Sequence, residues 1–307
     1  MMASTPETDS GQAAPEYVMC MAPTAPLRAE AREGAEMVNQ LLLGETAQVL
    51  ERLPRWLRVA GLHDGYEGWL SITQAYALSA PELEAWRSPS PERRCKAFLS
   101  QAVHVDEASG AITRRLWIPL GAVLPAEAEA PFRPGSLLSY PFGSFRFVSS
   151  PSCQPAGEDN GRQSLHQAEG NAARILDTAL DFMGVSYLWG GRSMMGIDCS
   201  GFTQLVMQMH GYAAPRDASQ QVNMPETVAS AQGRDIAVAR AGDIIYFSFD
   251  GQRVAHVGFY MGNGLLLHAS GSVKLEYIDK AVSKRNTDTF AFNERLSSAI
   301  YAIQRLL

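Results

Sequence analysis

The spacing of hydrophobic positions changes twice along this chain, and each change marks a different kind of structure. From residue 16 to 80, short alternating runs are broken by glycine-centred turns. Leu41-Leu42-Leu43-Gly44-Glu45-Thr46-Ala47-Gln48-Val49-Leu50 leads into Trp56-Leu57-Arg58-Val59-Ala60. His63-Asp64-Gly65-Tyr66-Glu67-Gly68-Trp69-Leu70 then turns back into another strand. A period of two punctuated by such turns predicts a small all-β barrel. Residues 81–94, rich in Pro and charge, read as a linker with one helical turn. Residues 95–150 return to short strands, at 97–105, 113–119 and 136–140, and predict a second small barrel. Residues 151–163 read as a second, polar linker, and residues 1–15 as a disordered tail.

From residue 164 to 307 the period lengthens. Ala172, Ile175, Leu176, Ala179, Leu180 and Met183 recur at helical spacing, with Gly184 where a C-cap belongs. After a glycine-rich corner at 185–191, a second helix opens at Cys199 and keeps Phe202, Leu205, Val206 and Met209 on one face. Strands follow at 243–249, 254–261, 265–269 and 299–305. Helices first and an antiparallel sheet after them predict an α+β domain behind two β barrels.

Composition narrows the partners. The chain has 307 residues, 46% hydrophobic and 19% charged, enough for two or three domains with real cores. Its net charge of −6, with no Lys/Arg run, argues against nucleic acid and against an anionic surface as partner. No apolar run is long enough to span a membrane. The first residues have neither a basic n-region nor an apolar h-region, so a cytoplasmic protein is expected, unless a leader has been removed. Cys20, Cys95, Cys153 and Cys199 lie far apart without C-x-x-C spacing, which favours reduced thiols. A monomer is expected, and no cofactor is implied.

The candidate chemistry sits in three short segments: Asp198-Cys199-Ser200-Gly201-Phe202, Ala255-His256-Val257-Gly258 and His268-Ala269-Ser270. A cysteine at a helix start meets unpaired N–H groups and the positive end of the helix dipole, which lower a thiol pKa. Asp198 is the expected N-cap. Gly262-Asn263-Gly264 between the two histidine strands is a hairpin signal that brings His256 and His268 nearly opposite each other. An imidazole paired with a second imidazole is fixed in tautomer, as a general base must be. The same three residues could instead ligate zinc, but no fourth ligand or acidic base is evident nearby.

The run Tyr187-x-Trp189-Gly190-Gly191, Asp198-Cys199-Ser200-Gly201-Phe202, Arg216-Asp217-x-Ser219-x-Gln221, Gly242-Asp243, His256-Val257-Gly258 and His268-Ala269-Ser270 resembles the NlpC-type cell-wall cysteine peptidases, in the family's order. Residues 41–70 resemble a bacterial SH3-like domain. The resemblance implies a papain-like domain after two SH3-like barrels. Cys199 would be the nucleophile, His256 the base, His268 the orienting residue and Tyr187 an oxyanion donor. With the N-terminal half it points to gamma-D-glutamyl-L-diamino acid endopeptidases acting on free murein peptides. In that subgroup the substrate's L-alanine amine is held by acidic and hydroxyl groups, here Asp217 and Ser219. The first barrel would add a second acid, Glu67, with Glu45 as its rival. A secreted wall lysin and a non-catalytic murein-binding protein are the competing readings.

Overall fold

The computed structural model describes residues 16–87, 93–106, 108–125, 134–149, 168–225, 227–229, 234–285 and 290–306. The expected tail and second linker lie outside the described residues. Seven strands form the first sheet: Tyr17–Cys20 (β1), Thr24–Arg28 (β2), Met37–Leu42 (β3), Thr46–Arg52 (β4), Trp56–Gly61 (β5), Glu67–Ser71 (β6) and Ala75–Leu78 (β7). Their order is β3-β2-β6-β5-β4-β1-β7, around a core of Val18, Leu27, Leu41, Leu57, Val59 and Leu70. The segment expected to be a linker begins instead with a two-turn helix, Ala80–Arg87 (α1). Leu83 is buried and Trp86 Nε1 donates to the Gly44 carbonyl at 3.1 Å, so α1 is part of a core rather than a tether.

Arg93–Arg94 (β8) pairs with Val123–Leu124 (β11). Leu99–Val105 (β9), Ile112–Pro119 (β10), Leu137–Tyr140 (β12) and Gly143–Ser149 (β13) make a four-stranded sheet in the order β10-β9-β13-β12. Its apolar face, including Leu116, Ile118 and Phe145, shares one core with Met19, Leu43, Leu78 and Leu83.

The C-terminal part is helix on sheet. Gly170–Leu180 (α2) is followed by the short pair Arg192–Ser193 (β14) and Gly196–Ile197 (β15), then Cys199–Met209 (α3) and Ala218–Gln221 (α4). Thr227–Ala229 (β16), Ile244–Phe247 (β17), His256–Gly262 (β18), Leu265–Ser270 (β19), Ser272–Tyr277 (β20) and Ile300–Leu306 (β21) form one antiparallel sheet in the order β16-β21-β17-β18-β19-β20. The short helices Lys280–Ser283 (α5) and Glu294–Ser297 (α6) lie between β20 and β21. Ile175 and Leu176 of α2 and Phe202 and Leu205 of α3 pack on Ile244, Tyr246, Val257, Phe259 and Leu267. Ile245, Phe247, Tyr260, Leu266 and Ile303 bury the opposite face. Strands buried on both sides read as continuous apolar runs, as β17 and β18 do. No helix is long and apolar enough to cross a membrane among the described residues.

Candidate active site

Cys199 is the first residue of α3, and Asp198 is its N-cap. The Asp198 Oδ1 accepts from the Gly201 N–H at 2.7 Å and the Oδ2 from the Gly190 N–H at 2.8 Å. One carboxylate therefore ties the helix start to the glycine corner. Arg216 grips the same carboxylate in a two-pronged pair of 3.0 and 2.6 Å, and donates to Ser200 Oγ and to Asn39 Oδ1 of the first barrel. Arg216 is buried, so it is neither a surface ion pair nor a substrate clamp. At Gly201 an added Cβ would stand 2.3 Å from the Gly191 carbonyl oxygen, which is why the turn after the nucleophile must be glycine. The backbone N–H groups of Ser200 and Val257 reach the Cys199 thiol, which sets the His256 end of β18 against it.

His256 and His268 meet because of a bulge. Asn263 and Gly264 both have positive φ, 51° and 73°, the signature of a two-residue type I′ turn closed by Gly262 and Leu265. With that turn alone, His268 would oppose Phe259 and point to the wrong face. The register shifts by one between Tyr260 and Gly262, and a one-residue shift exchanges the faces of a strand. His268 then opposes Gly258 and sits diagonally from His256 on one face. Gly258 leaves the room, since a Cβ there would lie 2.8 Å from the His268 Cβ.

His256 Nε2 and His268 Nδ1 are 2.8 Å apart, and His268 Nε2 is 3.0 Å from Glu276 Oε2. Sequence reading missed Glu276, which lies on β20 where Leu266 is its partner and Lys274 faces His268. The alternation of Lys274 and Glu276 along an otherwise apolar strand was its only signal. Asn293 Nδ2 donates to Glu276 at 2.7 Å and Lys274 Nζ at 2.9 Å, and these bonds, with that from His268, hold its carboxyl down at about 2. An ionised Glu276 only accepts, so it fixes the proton on His268 Nε2. His268 Nδ1 must then accept from His256 Nε2–H, which leaves His256 Nδ1 as the unprotonated atom. Both nitrogens of His268 are engaged, so the metal reading of Cys199, His256 and His268 loses a donor.

The resting protonation state differs from the helix-start expectation. Burial pushes the Cys199 thiol up to about 12, reinforced by the Asp198 carboxylate, and Arg216 with the two amides only partly offsets this. Burial also pulls His256 down to about 3, with His268 adding to the effect and Glu276 opposing it. Thiol and imidazole are therefore both neutral before substrate arrives. Tyr187 lies half-buried in the corner, its N–H donating to the Gly271 carbonyl at 2.9 Å. Burial and the nearby Cys199 and Asp198 raise its phenol to about 12, so it stays a donor. The Cys199 N–H, at the first helical position, has no carbonyl one turn back to bond.

Beside this centre, Asp217 takes the N-cap position of α4 without bonding any N–H of that helix. Its carboxyl is raised above the usual range, by burial first, and Asp198 and Asp64 add to this while Arg216 opposes it. Tyr66 of the first barrel is half-buried within electrostatic reach of Asp217. Ser219 lies in the same short helix, partly buried, its carbonyl accepting from Asn223. The two acids expected from the first barrel both have their carboxylates paired within the protein. Glu67 is exposed and lines one cleft with Tyr66 and Gln220, but its carboxylate is taken up by Arg58 at 2.6 Å. Glu45 is fully buried and spent on Arg192 and Arg94, at 2.9 and 3.0 Å. The barrel acid at the rim is Glu36, whose Oε1 accepts from Trp189 Nε1 at 2.6 Å. Trp189 is 61% exposed, so its indole is not part of a core. No spacing rule could have joined Glu36 to Trp189, which are 153 residues apart.

Comparison with known proteins gives the chain relatives. Residues 184–291 match the NlpC/P60 family, and residues 27–74 match the bacterial dipeptidyl-peptidase Sh3 domain. A Bacillus cereus protein named gamma-D-glutamyl-L-lysine dipeptidyl-peptidase is 35% identical over 258 residues, covering 76% of this chain and 67% of that protein. A Bacillus subtilis protein of the same name is 38% identical over 119 residues, a match spanning 37% of this chain and 38% of that one. The crystal structure of an NlpC/P60 family protein from Bacillus cereus superposes with a TM-score of 0.69 at 18% identity, over 95% of this chain and 99% of that one, a likeness of fold.

Proposed function

The chain belongs to the NlpC/P60 family of cysteine peptidases, and from that membership and the site's geometry we propose that it hydrolyses the amide between the γ-carboxyl of D-glutamate and a diamino acid in murein peptides that begin with free L-alanine. The observation that carries the chemistry is the hydrogen-bonded run from His256 through His268 to Glu276, set against a cysteine at a helix start. The Cys199 thiol passes its proton to His256 Nδ1 as sulfur attacks the γ-carbonyl carbon. General-base transfer is needed because the thiol is neutral at rest. The oxyanion is met by the Tyr187 hydroxyl and the Cys199 N–H. Collapse breaks the C–N bond, and His256 returns the proton to the leaving amine. Water, deprotonated by His256, then releases the acylated glutamate.

The substrate reading rests on Asp217, a half-buried carboxylate that its own helix does not use, within electrostatic reach of Tyr66. A buried ammonium needs such a partner. Glu36 and Trp189 close the rim, and Ser219 is a further hydroxyl at the same end. The names of the two curated relatives support the γ-D-glutamyl bond. Diaminopimelate and lysine are both admitted as the leaving residue. A requirement for a free L-alanine fits peptides already released from the wall, which makes this a recycling enzyme of the cytoplasm.

The test is hydrolysis of L-Ala-γ-D-Glu-meso-diaminopimelate beside its N-acetylated form, with wild type and Cys199→Ala. Cleavage of the free-amine peptide only, lost in the variant, is expected. Equal cleavage of both would remove the amine pocket and leave a wall-lysin activity. Undiminished cleavage by Cys199→Ala would end the cysteine mechanism.

A further inference from the structure

A cleft of about 250 Å³ opens on the far side of His256, lined by Tyr187, Phe249, His256, Ser270, Asn293 and Arg295 among others. On the proposed mechanism His256 delivers the proton to the leaving amine, and this cleft beside His256 is then the place for the residue after the scissile bond. Its lining contains no Asp or Glu among the described residues, on a chain whose net charge is −6. The two acids adjacent in sequence to this lining are both engaged elsewhere: Asp250, exposed, accepts at Oδ1 from Ser248 Oγ and from the Gln252 and Arg253 N–H groups, and Glu294 pairs with Lys280 at 3.7 Å. Glu276 is buried behind His268.

Arg295 is the one formal cation of that lining, and it is held in place. Its guanidinium carbon lies 4.0 Å above the Phe249 ring centroid. The short helix that carries it is pinned at both faces: Asn293 Oδ1 caps Leu296 N–H at 2.9 Å, Asn293 Nδ2 bonds Glu276, and Leu296 is buried. Among the described residues Arg295 makes no ion pair, and stacking on an aromatic face leaves its N–H fork free for a carboxylate. A preorganised fork loses less freedom on binding than a flexible cation would.

We propose that Arg295, laid on Phe249, is a specificity residue that binds a carboxylate of the leaving diamino acid. This rests on the peptidase reading above. Two carboxylates share that chemistry: the distal one of diaminopimelate, absent from lysine, and the α-carboxylate present in both.

Four peptides separate them: L-Ala-γ-D-Glu carrying meso-diaminopimelate or L-lysine, each with the α-carboxyl free or amidated, assayed with the full chain as wild type, Arg295→Ala and Arg295→Lys. Arg295→Ala is expected to raise KM about tenfold or more for peptides that retain the bound carboxylate, with kcat within about twofold. Arg295→Lys should recover part of the loss, since it keeps the charge without the fork. A loss confined to the two diaminopimelate peptides assigns the distal group, and one confined to the two free acids assigns the α-carboxylate. The L-lysine α-amide has neither and must be unaffected. Equal change in all four peptides, or none, overturns the inference while leaving the peptidase reading intact. No Cys199-dependent cleavage of any of them overturns both.

Discussion

Glu276→Gln tests whether the anion behind the two histidines works through its charge. The substitution keeps shape and volume. The carboxylate receives His268 and Asn293 on Oε2 and Lys274 on Oε1. Lys274 is 39% exposed and can turn to water, so the new amide NH2 takes the Oε1 side and the carbonyl keeps His268 and Asn293. The tautomers survive and only the charge goes. Two hydrogen bonds of 3.0 and 2.8 Å and the width of one imidazole put that charge roughly 8 Å from His256 Nε2. At an effective dielectric of about 20, the interaction with a His256 imidazolium is about 2 kcal/mol, or roughly 30-fold in rate. Lys274 cancels part of it, so a fall in kcat/KM of about 10- to 30-fold is expected, carried by kcat. The assay is steady-state hydrolysis of L-Ala-γ-D-Glu-meso-diaminopimelate, with a thermal melt of each protein. A variant within twofold of wild type in kcat, at unchanged Tm, would refute the charge argument.

Two further outcomes follow from the same geometry. Because Asp217 has a raised pKa, it protonates above the usual carboxylate range of about 4 as pH falls, and the grip on the substrate ammonium goes with it. His256, held at about 3, stays a competent base through that range, so the acid limb should lie in KM and not in kcat. Asp217→Asn should raise KM at neutral pH by about 10- to 100-fold and flatten that limb; an acid limb carried by kcat would sink the assignment. Gly258→Ala places a methyl 2.8 Å from the His268 Cβ and 2.9 Å from the Leu267 carbonyl oxygen. A stability loss of about 1–3 kcal/mol and a kcat at least about tenfold lower are expected, read from denaturant midpoints and rates; a variant matching wild type in both would mean that His268 has room to spare.

What the sequence carried well was local. The Cys199 helix runs to Met209 as its apolar face demands, with Asp198 capping it. The four main strands of the second half fall within three residues of their expected limits at each end. The hairpin was legible from Asn263-Gly264, but not the bulge at its end, and that bulge decides which face His268 takes. Glu276 was hidden because β20 was not among the expected strands: only the single residue Gly271 separates it from β19, too short a turn to signal a new strand. The expected thiolate was wrong in sign for the resting site. The helix-start argument counts the N–H groups but not the burial of the sulfur or the neighbouring Asp198. Glu45 reaches the peptidase domain but is consumed by Arg192, and Glu67 is paired with Arg58; position in a motif does not tell whether a carboxylate is already paired.

The first barrel is better understood as a wall of the active site than as an appendage. Arg192, on the short strand just after the glycine corner, is buried and reaches the barrel's Gln40 carbonyl and Glu45 carboxylate, and Arg216 reaches Asn39. At Gly190 a Cβ would lie 2.3 Å from the Met37 carbonyl oxygen, so the corner carrying Tyr187 and Trp189 is laid directly on β3. Buried Arg–carboxylate pairs add little net stability over apolar packing, yet breaking one leaves a bare charge. Such pairs are poor glue and good registers: they tolerate one arrangement of the two domains and penalise the others. The arrangement selected here brings Tyr66 within electrostatic reach of Asp217 and bonds Glu36 to Trp189, the residues among which the proposed substrate begins. A pocket for a chain's free amine has to be closed beyond that amine, and for the proposed pocket the barrel is the element placed to do so. On this reasoning the proposed exclusion of N-blocked peptides is a property of the first barrel docked on the peptidase domain, and the proposed Cys199–His256–His268–Glu276 chemistry is a property of the peptidase domain alone.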